Sequence, residues 1–287
     1  MSVGELGDAQ LKWELLIKKR GSATQGVPPG KESLAWVTNA VTLIAGKNEL
    51  LLVDTFLSKA HNEELANWIA AKGKRLARIY ITHGHPDHFF GLMILKERFP
   101  EARLVARPNV VRAMRRTIEP EVLTNWHQRW PNQIPERLIV ADEIDADNFT
   151  LEDHDCRVID TGHTDTDDTT ALHIPSIDLV ISGDAVYNET HPYLAETDPT
   201  GYQEWLAALD KIEALNPKAV VAGHGPPDQD SNPSHIDKTR NYIKSFVSLN
   251  QATSSALELY ERMLELYPDR INPGSLWASA RKAKSAV

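Results

Sequence analysis

The chain has 287 residues, of which 41% are apolar and 25% charged, with a formal net charge of −9. That is the make-up of a globular chain able to bury a large core in one large domain or two small ones. The acidic balance weighs against nonspecific binding to phosphate backbones, and a single cysteine, Cys156, excludes any internal disulfide.

No apolar run approaches the ~20 residues needed to cross a bilayer. The opening stretch, MSVGELGDAQLKWELL, lacks the basic start and long apolar core of a signal peptide. The expectation is a cytoplasmic protein with a small-molecule substrate and no nucleic-acid or membrane partner, with homo-oligomerisation left open.

Residues 21–30, GSATQGVPPG, read as a loop. Residues 33–55 read as strand, a turn at Gly46–Asn48, and strand, with leucine and β-branched runs suited to burial. A helix over 59–72 follows a Ser58 cap, then a strand over 75–82, a helix over 89–99 stopped by Pro100, and the short strand ARLVA. Residues 108–130 read as helical with a break at Pro120. The second half repeats the alternation: strands over 155–163, 169–175 and 178–184, a helix over 198–215 capped by Asp198 with Pro199 at its first position, and a strand over 218–225. A long helix is predicted over 234–267 from the spacing of Ile236, Tyr242, Ile243, Phe246, Val247 and Leu249.

Strands then helices, twice, predict a layered α/β fold. No repeat or linker forces a boundary, so the expected organisation is a single domain over 1–287. Its core runs from about 33 to 226, with a helical insertion at about 108–135 and C-terminal helices at about 234–284.

The chemistry concentrates in IYITHGHPDHFFG, residues 79–91, where His83, His85, Asp87 and His88 crowd the end of a predicted strand. Burying such groups without a cation or hydrogen-bond partners is costly. DTGHTD, SGDAVY and VAGHGPP end three further strands with His163, Asp184 and His224, each beside a glycine that permits a sharp turn. Open α/β sheets place their sites at strand ends. Imidazoles mixed with carboxylates suit zinc, with iron or manganese as alternatives. Seven donors suit two ions ~3.5–4 Å apart better than one, and Asp184, with two oxygens, is the natural bridge.

THGHPDH resembles the HxHxDH signature of the metallo-β-lactamase superfamily, and His163, Asp184 and His224 match its remaining ligand positions in order, over about 34–225. Asp54 in LLVDT resembles the aspartate of the family's early strand motif, structural and near the site. The resemblance implies a four-layer αββα sandwich with a helical C-terminal extension. It implies one metal on His83, His85 and His163, a second on Asp87, His88 and His224, and Asp184 between them.

Aspartate at Asp87 and Asp184, with no cysteine ligand, is similar to the lactonase, glyoxalase II and thioesterase branches. Tyr187, three after Asp184, resembles a tyrosine that assists at the substrate carbonyl in lactonases of this superfamily. The implied chemistry is water activated near neutral pH and attack on a carbonyl carbon, with Asp87 and Tyr187 as catalytic residues.

Phe89, Trp126, Trp130, His191 and Tyr193 are candidates for the substrate pocket. His61, His127, His154, His173 and His235 read as structural or surface residues, Cys156 as a small core residue, and Arg115 and Arg116 as a solvated face. The expected function is hydrolysis of a lactone or other cyclic ester or amide with an apolar or aromatic body. The alternative is a thioesterase of glyoxalase II or polyketide type, for which Lys238, Arg240 and Lys244 are candidate glutathione contacts. An iron-dependent sulfur dioxygenase or a nuclease follows behind.

Overall fold

The structure is a computed structural model and describes residues 11–285. Two mixed sheets form its centre. The first is built from β1 (Lys12–Gly21), β2 (Trp36–Ala45), β3 (Glu49–Val53), β4 (Arg75–Tyr80), β5 (Arg103–Ala106) and β6 (Asp142–Glu143), in that order across the sheet. The second holds β7 (Asn148–Leu151), β8 (His154–Gly162), β9 (Thr169–Ile174), β10 (Leu179–Ile181) and β11 (Ala219–Val221), again in chain order from one edge to the other.

The layering follows from the two-residue period of strand side chains. In β3, Leu50 and Leu52 point to one apolar cluster, while Leu51 and Val53 point to another. Leu51, Val53, Tyr80 and Val105 meet Cys156, Val158, Leu172, Leu179 and Val221 of the second sheet, so this cluster lies between the sheets. Leu50, Leu52 and Ile79 pack outward against α1 (Lys59–Ala70), α3 (Leu92–Arg98) and α4 (Pro108–Thr117), which α5 (Pro120–Arg129) follows. Between β4 and α3 stands the single turn α2 (Pro86–Phe89).

On the outer face of the second sheet, Ala171, Val180 and Val220 pack with α6 (Pro199–Glu213), α7 (His235–Ala252), α8 (Ala256–Leu266) and α9 (Pro273–Ser285). The result is the expected αββα sandwich.

Five elements differ from the sequence reading. β1 has no counterpart in it: KWELLIKKRG pairs antiparallel with the whole of β2, Lys12 opposite Ala45 and Gly21 opposite Trp36. β6 and β7 are also additional. The predicted helix over 89–99 is split into α2 and α3. The predicted helix over 234–267 is two helices, because Thr253 is extended (φ −114°, ψ 153°) and Ser255 caps α8 by accepting the Glu258 N–H. Glu258 Oε2 in turn accepts the N–H and hydroxyl of Ser254. This is a variant of the Ser-x-x-Glu capping box in which the return bond goes to the residue before the cap, and it outweighs continuous apolar spacing.

Candidate metal centre

The strand ends of both sheets converge on one rim. The chain leaves β3 at Asp54 with φ +64°, a left-handed conformation that aspartate tolerates better than most residues. Beyond β4, Thr82 and His83 precede α2, where Pro86 starts the helical turn and Asp87 and His88 follow within it. Asp184 follows β10, and His224 follows β11.

Two groups of donors form there. One ligand atom from each of His83, His85, Asp165 and Asp184 lies within 4.8 Å of the others, and the same holds for Asp87, His88 and His224. Asp184 reaches both groups: Oδ1 is 3.4 Å from His88 Nε2, and Oδ2 is 2.9 Å from His224 Nε2. It therefore stands where a bridging carboxylate is required.

A buried layer behind these residues sets which way each imidazole faces. Asp54 accepts the Thr82 N–H (2.8 Å) and the Thr82 hydroxyl (2.8 Å), and its Oδ2 lies 2.9 Å from His88 Nδ1. A carboxylate only accepts, so His88 carries a proton on Nδ1 and turns Nε2 inward. The Thr82 hydroxyl has spent its proton on Asp54. Its oxygen, 3.0 Å from His83 Nδ1, must therefore accept, which makes His83 Nε2 the lone-pair atom. His224 donates Nδ1–H to the Thr38 carbonyl at 2.7 Å and likewise presents Nε2. Metal-binding histidines are oriented in this way by carboxylates and carbonyls.

The residues fit a pair of cations on two observations. His83 Nε2, His88 Nε2 and Asp184 Oδ1 are buried and lack hydrogen-bond partners; His83 Nε2 lies 3.8 Å from Asp165 Oδ2, and His88 Nε2 lies 3.4 Å from Asp184 Oδ1. Such orphaned atoms cost ~1–3 kcal/mol each unless something satisfies them. In addition, Asp54, Asp87, Asp165 and Asp184 are all buried, while Arg20 is the one arginine or lysine paired with any of them among the described residues. Concentrated buried negative charge of this kind calls for cations.

Electrostatics within the cluster agree. Burial, and then the charge of His88, pushes His83 well below its ordinary value, so it stays neutral. Burial also acts to lower His88 and His224, but carboxylates outweigh it: Asp184 and Asp54 raise His88, and Asp184 raises His224. Burial acts to raise Asp87, yet Arg20 leads the positive groups that hold it far below the usual carboxylate range.

Three predicted positions need correction. His163 stands outside both donor groups: Nδ1 is 2.6 Å from Asp167 Oδ1 and Nε2 is 3.1 Å from Thr197 Oγ1. Asp165, two residues on, takes the place in the first group, its Oδ2 2.9 Å from His85 Nδ1. Phe89 is not a pocket residue; it is fully buried beneath the first sheet, edge-on to Phe90. His191 is also buried away from the rim, its Nδ1 2.8 Å from the Tyr242 hydroxyl.

Of the other pocket candidates, Tyr193 lies 6.1 Å from His85, ring to ring. Trp126 and Trp130 stack at 5.4 Å, and Trp130 lines a cavity beside Arg20. Tyr187 is buried, stacks on His224 at 5.6 Å and donates its hydroxyl to Asp184 Oδ2 at 3.0 Å. None of His61, His127, His154, His173 and His235 joins a donor group.

Sequence reasoning missed Arg20 and Asn39, which hold Asp87 Oδ2 at 2.6 and 2.7 Å, and Glu196, 3.4 Å from His85 Nε2. It also passed over Asp165, although this residue closes the motif DTGHTD, two positions after His163.

A mixed αββα sandwich with a histidine–aspartate rim at its strand ends defines a metallo-hydrolase-type scaffold. The sequence profile of the metallo-beta-lactamase superfamily matches residues 34–224, and the chain belongs to that superfamily. Among similar proteins, an atrochrysone carboxyl ACP thioesterase of Aspergillus fumigatus is 26% identical over 201 residues, 70% of this chain and 54% of that one. A hydroxyacylglutathione hydrolase of Actinobacillus pleuropneumoniae is 24% identical over 181 residues, 62% of this chain and 61% of the other. The chain thus spans less than two thirds of the length of these curated relatives. Among solved structures, a metallo-beta-lactamase family protein from Thermus thermophilus superposes with a TM-score of 0.63 at 20% identity, covering 92% of this chain and 91% of that one. A metallo-beta-lactamase from Pontibacter korlensis gives 0.59 at 18% identity, over 80% and 99%. At such identities the likeness is one of fold.

Proposed function

We propose that the chain is a metal-dependent hydrolase of acyl carbonyl compounds, acting on a lactone or a thioester, with two zinc ions, or iron or manganese, as its resident cofactors. The observation that supports this reading best is the pair of adjoining donor groups, His83, His85, Asp165 and Asp184 beside Asp87, His88 and His224, with His83 Nε2, His88 Nε2 and Asp184 Oδ1 left without hydrogen-bond partners. Bound there, a pair of cations supplies hydroxide from water near neutral pH.

The chain's own residues do the rest. Asp54, through Thr82 and directly, keeps His83 and His88 in one tautomer each. Asp184 spans the two donor groups, and Tyr187 orients it from behind. Because that phenol is spent on Asp184, Tyr187 acts as a positioning residue unless substrate draws the hydroxyl away. Arg20 and Asn39 keep Asp87 ionised and aimed, so that it can receive a proton and pass it to a leaving group.

The thioester reading draws support from the relatives, named for an ACP thioesterase and for hydroxyacylglutathione hydrolases. Of the three α7 cations named for a glutathione grip, two are already paired and only Lys244 is left among the described residues. Lys238 pairs with Glu189, and Arg240 is held by Asp210, Glu213 and Asp237.

The test is a panel of lactone, thioester, β-lactam, cyclic amide and phosphodiester substrates with zinc-loaded protein, beside His85→Ala. Turnover of a lactone or thioester, reduced at least ~100-fold in His85→Ala, is expected. Turnover confined to the phosphodiester overturns the reading.

A further inference from the structure

A cavity of about 600 Å³ lies between the end of β1, the first turn of α1 and the end of α5, and one of its walls is Arg20, the partner of Asp87. That volume lies in the range of small-molecule sites, roughly 300–1,000 Å³. Its walls carry Lys19, Arg20, Lys59 and Arg129 against one carboxylate, Glu63, with Trp130 as an aromatic wall. In a chain of net charge −9 this is a local reversal of sign.

Most of these cations are not neutralised. Among the described residues, Lys19 and Arg129 have no carboxylate within ion-pair distance. Lys19 lies 4.0 Å from the Trp36 ring and Arg129 lies 5.7 Å from the Trp126 ring. Lys59 has only the exposed Glu136 at 4.0 Å. Arg20 connects the cavity to the chemistry. Its Nη2 sits 2.6 Å from Asp87 Oδ2, while its guanidinium lies 5.8 Å from the Trp130 ring. Arg129 also acts electrostatically on Tyr193, which stands beside His85.

We propose that this cavity binds the carboxylate-bearing, aromatic or apolar end of the substrate, with Lys19 and Arg129 receiving the carboxylate, Trp130 covering the ring, and the scissile carbonyl reaching past Arg20 to Asp87. This rests on the hydrolase reading for the identity of the ligand as substrate, but the binding site itself stands on the cavity and its charges. Lys19 and Arg129 are exposed, so the preference for an acid over its isosteric neutral analogue comes from Coulomb attraction in a cleft lined by one sign of charge.

The experiment measures binding of 2-naphthoate and of 2-naphthamide to the zinc-loaded full chain, by calorimetry and by tryptophan fluorescence. Both are repeated after chelator treatment and in Lys19→Gln/Arg129→Gln, with zinc content and thermal melting as controls. The single variant Arg129→Gln serves if the double variant melts early. The expected result has three parts. Naphthoate binds at least tenfold more tightly than naphthamide. The variant loses at least tenfold for the acid alone, with zinc content unchanged. Naphthoate still binds after the metal is stripped.

Equal binding of acid and amide, a variant that binds naphthoate like the parent, or binding that disappears with the zinc overturns the proposal; in the last case the carboxylate sits on the metal. Failure of the hydrolase reading has a different signature, since no member of the substrate panel would turn over while naphthoate binding and its loss in the variant persist.

Discussion

Replacing Asp54 by asparagine tests the orientation of two imidazoles with one substitution. Asparagine accepts the left-handed backbone at this position (φ +64°), so strain does not confound the comparison. Its amide oxygen can still take the Thr82 N–H. The amide nitrogen, however, then faces Thr82 Oγ1 and His88 Nδ1 as a donor where a carboxylate oxygen used to accept. His88 can meet it only by moving its proton to Nε2, which removes the lone pair that this atom offers to a cation. The Thr82 hydroxyl, now accepting from the amide, is released to donate to His83 Nδ1, and His83 Nε2 is protonated in turn. Loss of such an orienting partner costs ~10–100-fold in metal affinity, or about 1.4–2.7 kcal/mol. Here each donor group contains or adjoins one affected imidazole, so both sites weaken by that factor. Loss of charge-assisted hydrogen bonds adds a folding cost of ~1.5–3 kcal/mol. Chelator-competition titration of zinc gives the two affinities, and thermal denaturation of the stripped protein gives the stability. If Asp54→Asn retains parental affinity at both sites, the tautomer reasoning is wrong.

Tyr187→Phe removes the donor to Asp184 Oδ2 and is expected to weaken metal binding ~10-fold; a fall in kcat with parental metal affinity would instead assign the phenol to the substrate. Asp165→Asn is expected to lower metal occupancy at the first group more than His163→Gln does, measured as bound zinc per chain after dialysis. The reverse order would restore His163 as the ligand. Burial pushes the Cys156 thiol up to about 12 from 9.0, so native protein should resist iodoacetamide at pH 8.5 and react once unfolded. The same shift makes the protonated thiol part of the folded state. The unfolded chain releases this proton first, so stability is intact below about pH 9 and declines as pH rises toward 12, by at most about 1.4 kcal/mol per pH unit. Parental and Cys156→Ala urea midpoints, compared across that range, would run parallel if this account failed.

The parts of the site visible in the sequence are those where chain order and spatial order coincide. His83, His85, Asp87 and His88 lie in one strand-to-helix turn, and Asp184 and His224 each end a short buried strand, so proximity follows from topology alone. The layered α/β class was likewise visible in the alternation of strands and helices, whereas the αββα sandwich came with the family resemblance; LLLV of β3, apolar throughout, gives no sign that its side chains divide between two cores. His163 stands outside both donor groups for a local reason. The pairing of β8 with β9 shifts register between Asp160 and Gly162, and Gly162 takes φ +72°. A bulge followed by a left-handed residue re-aims everything after it, so counting from the strand no longer tells whether residue 163 or 165 faces the rim. Arg20 and Asn39 were invisible for a different reason: they lie on neighbouring strands, opposite Val37 and Lys18 in the β1–β2 register, and are linked to each other by an Nε–Oδ1 hydrogen bond of 2.9 Å. No feature of LIKKRG marks which of its cations will meet a carboxylate 67 residues away. The motif therefore identifies the atoms that meet a cation, whereas the residues that hold those atoms in place, and the charged cavity beside them, depend on strand register and could only be found in the folded chain.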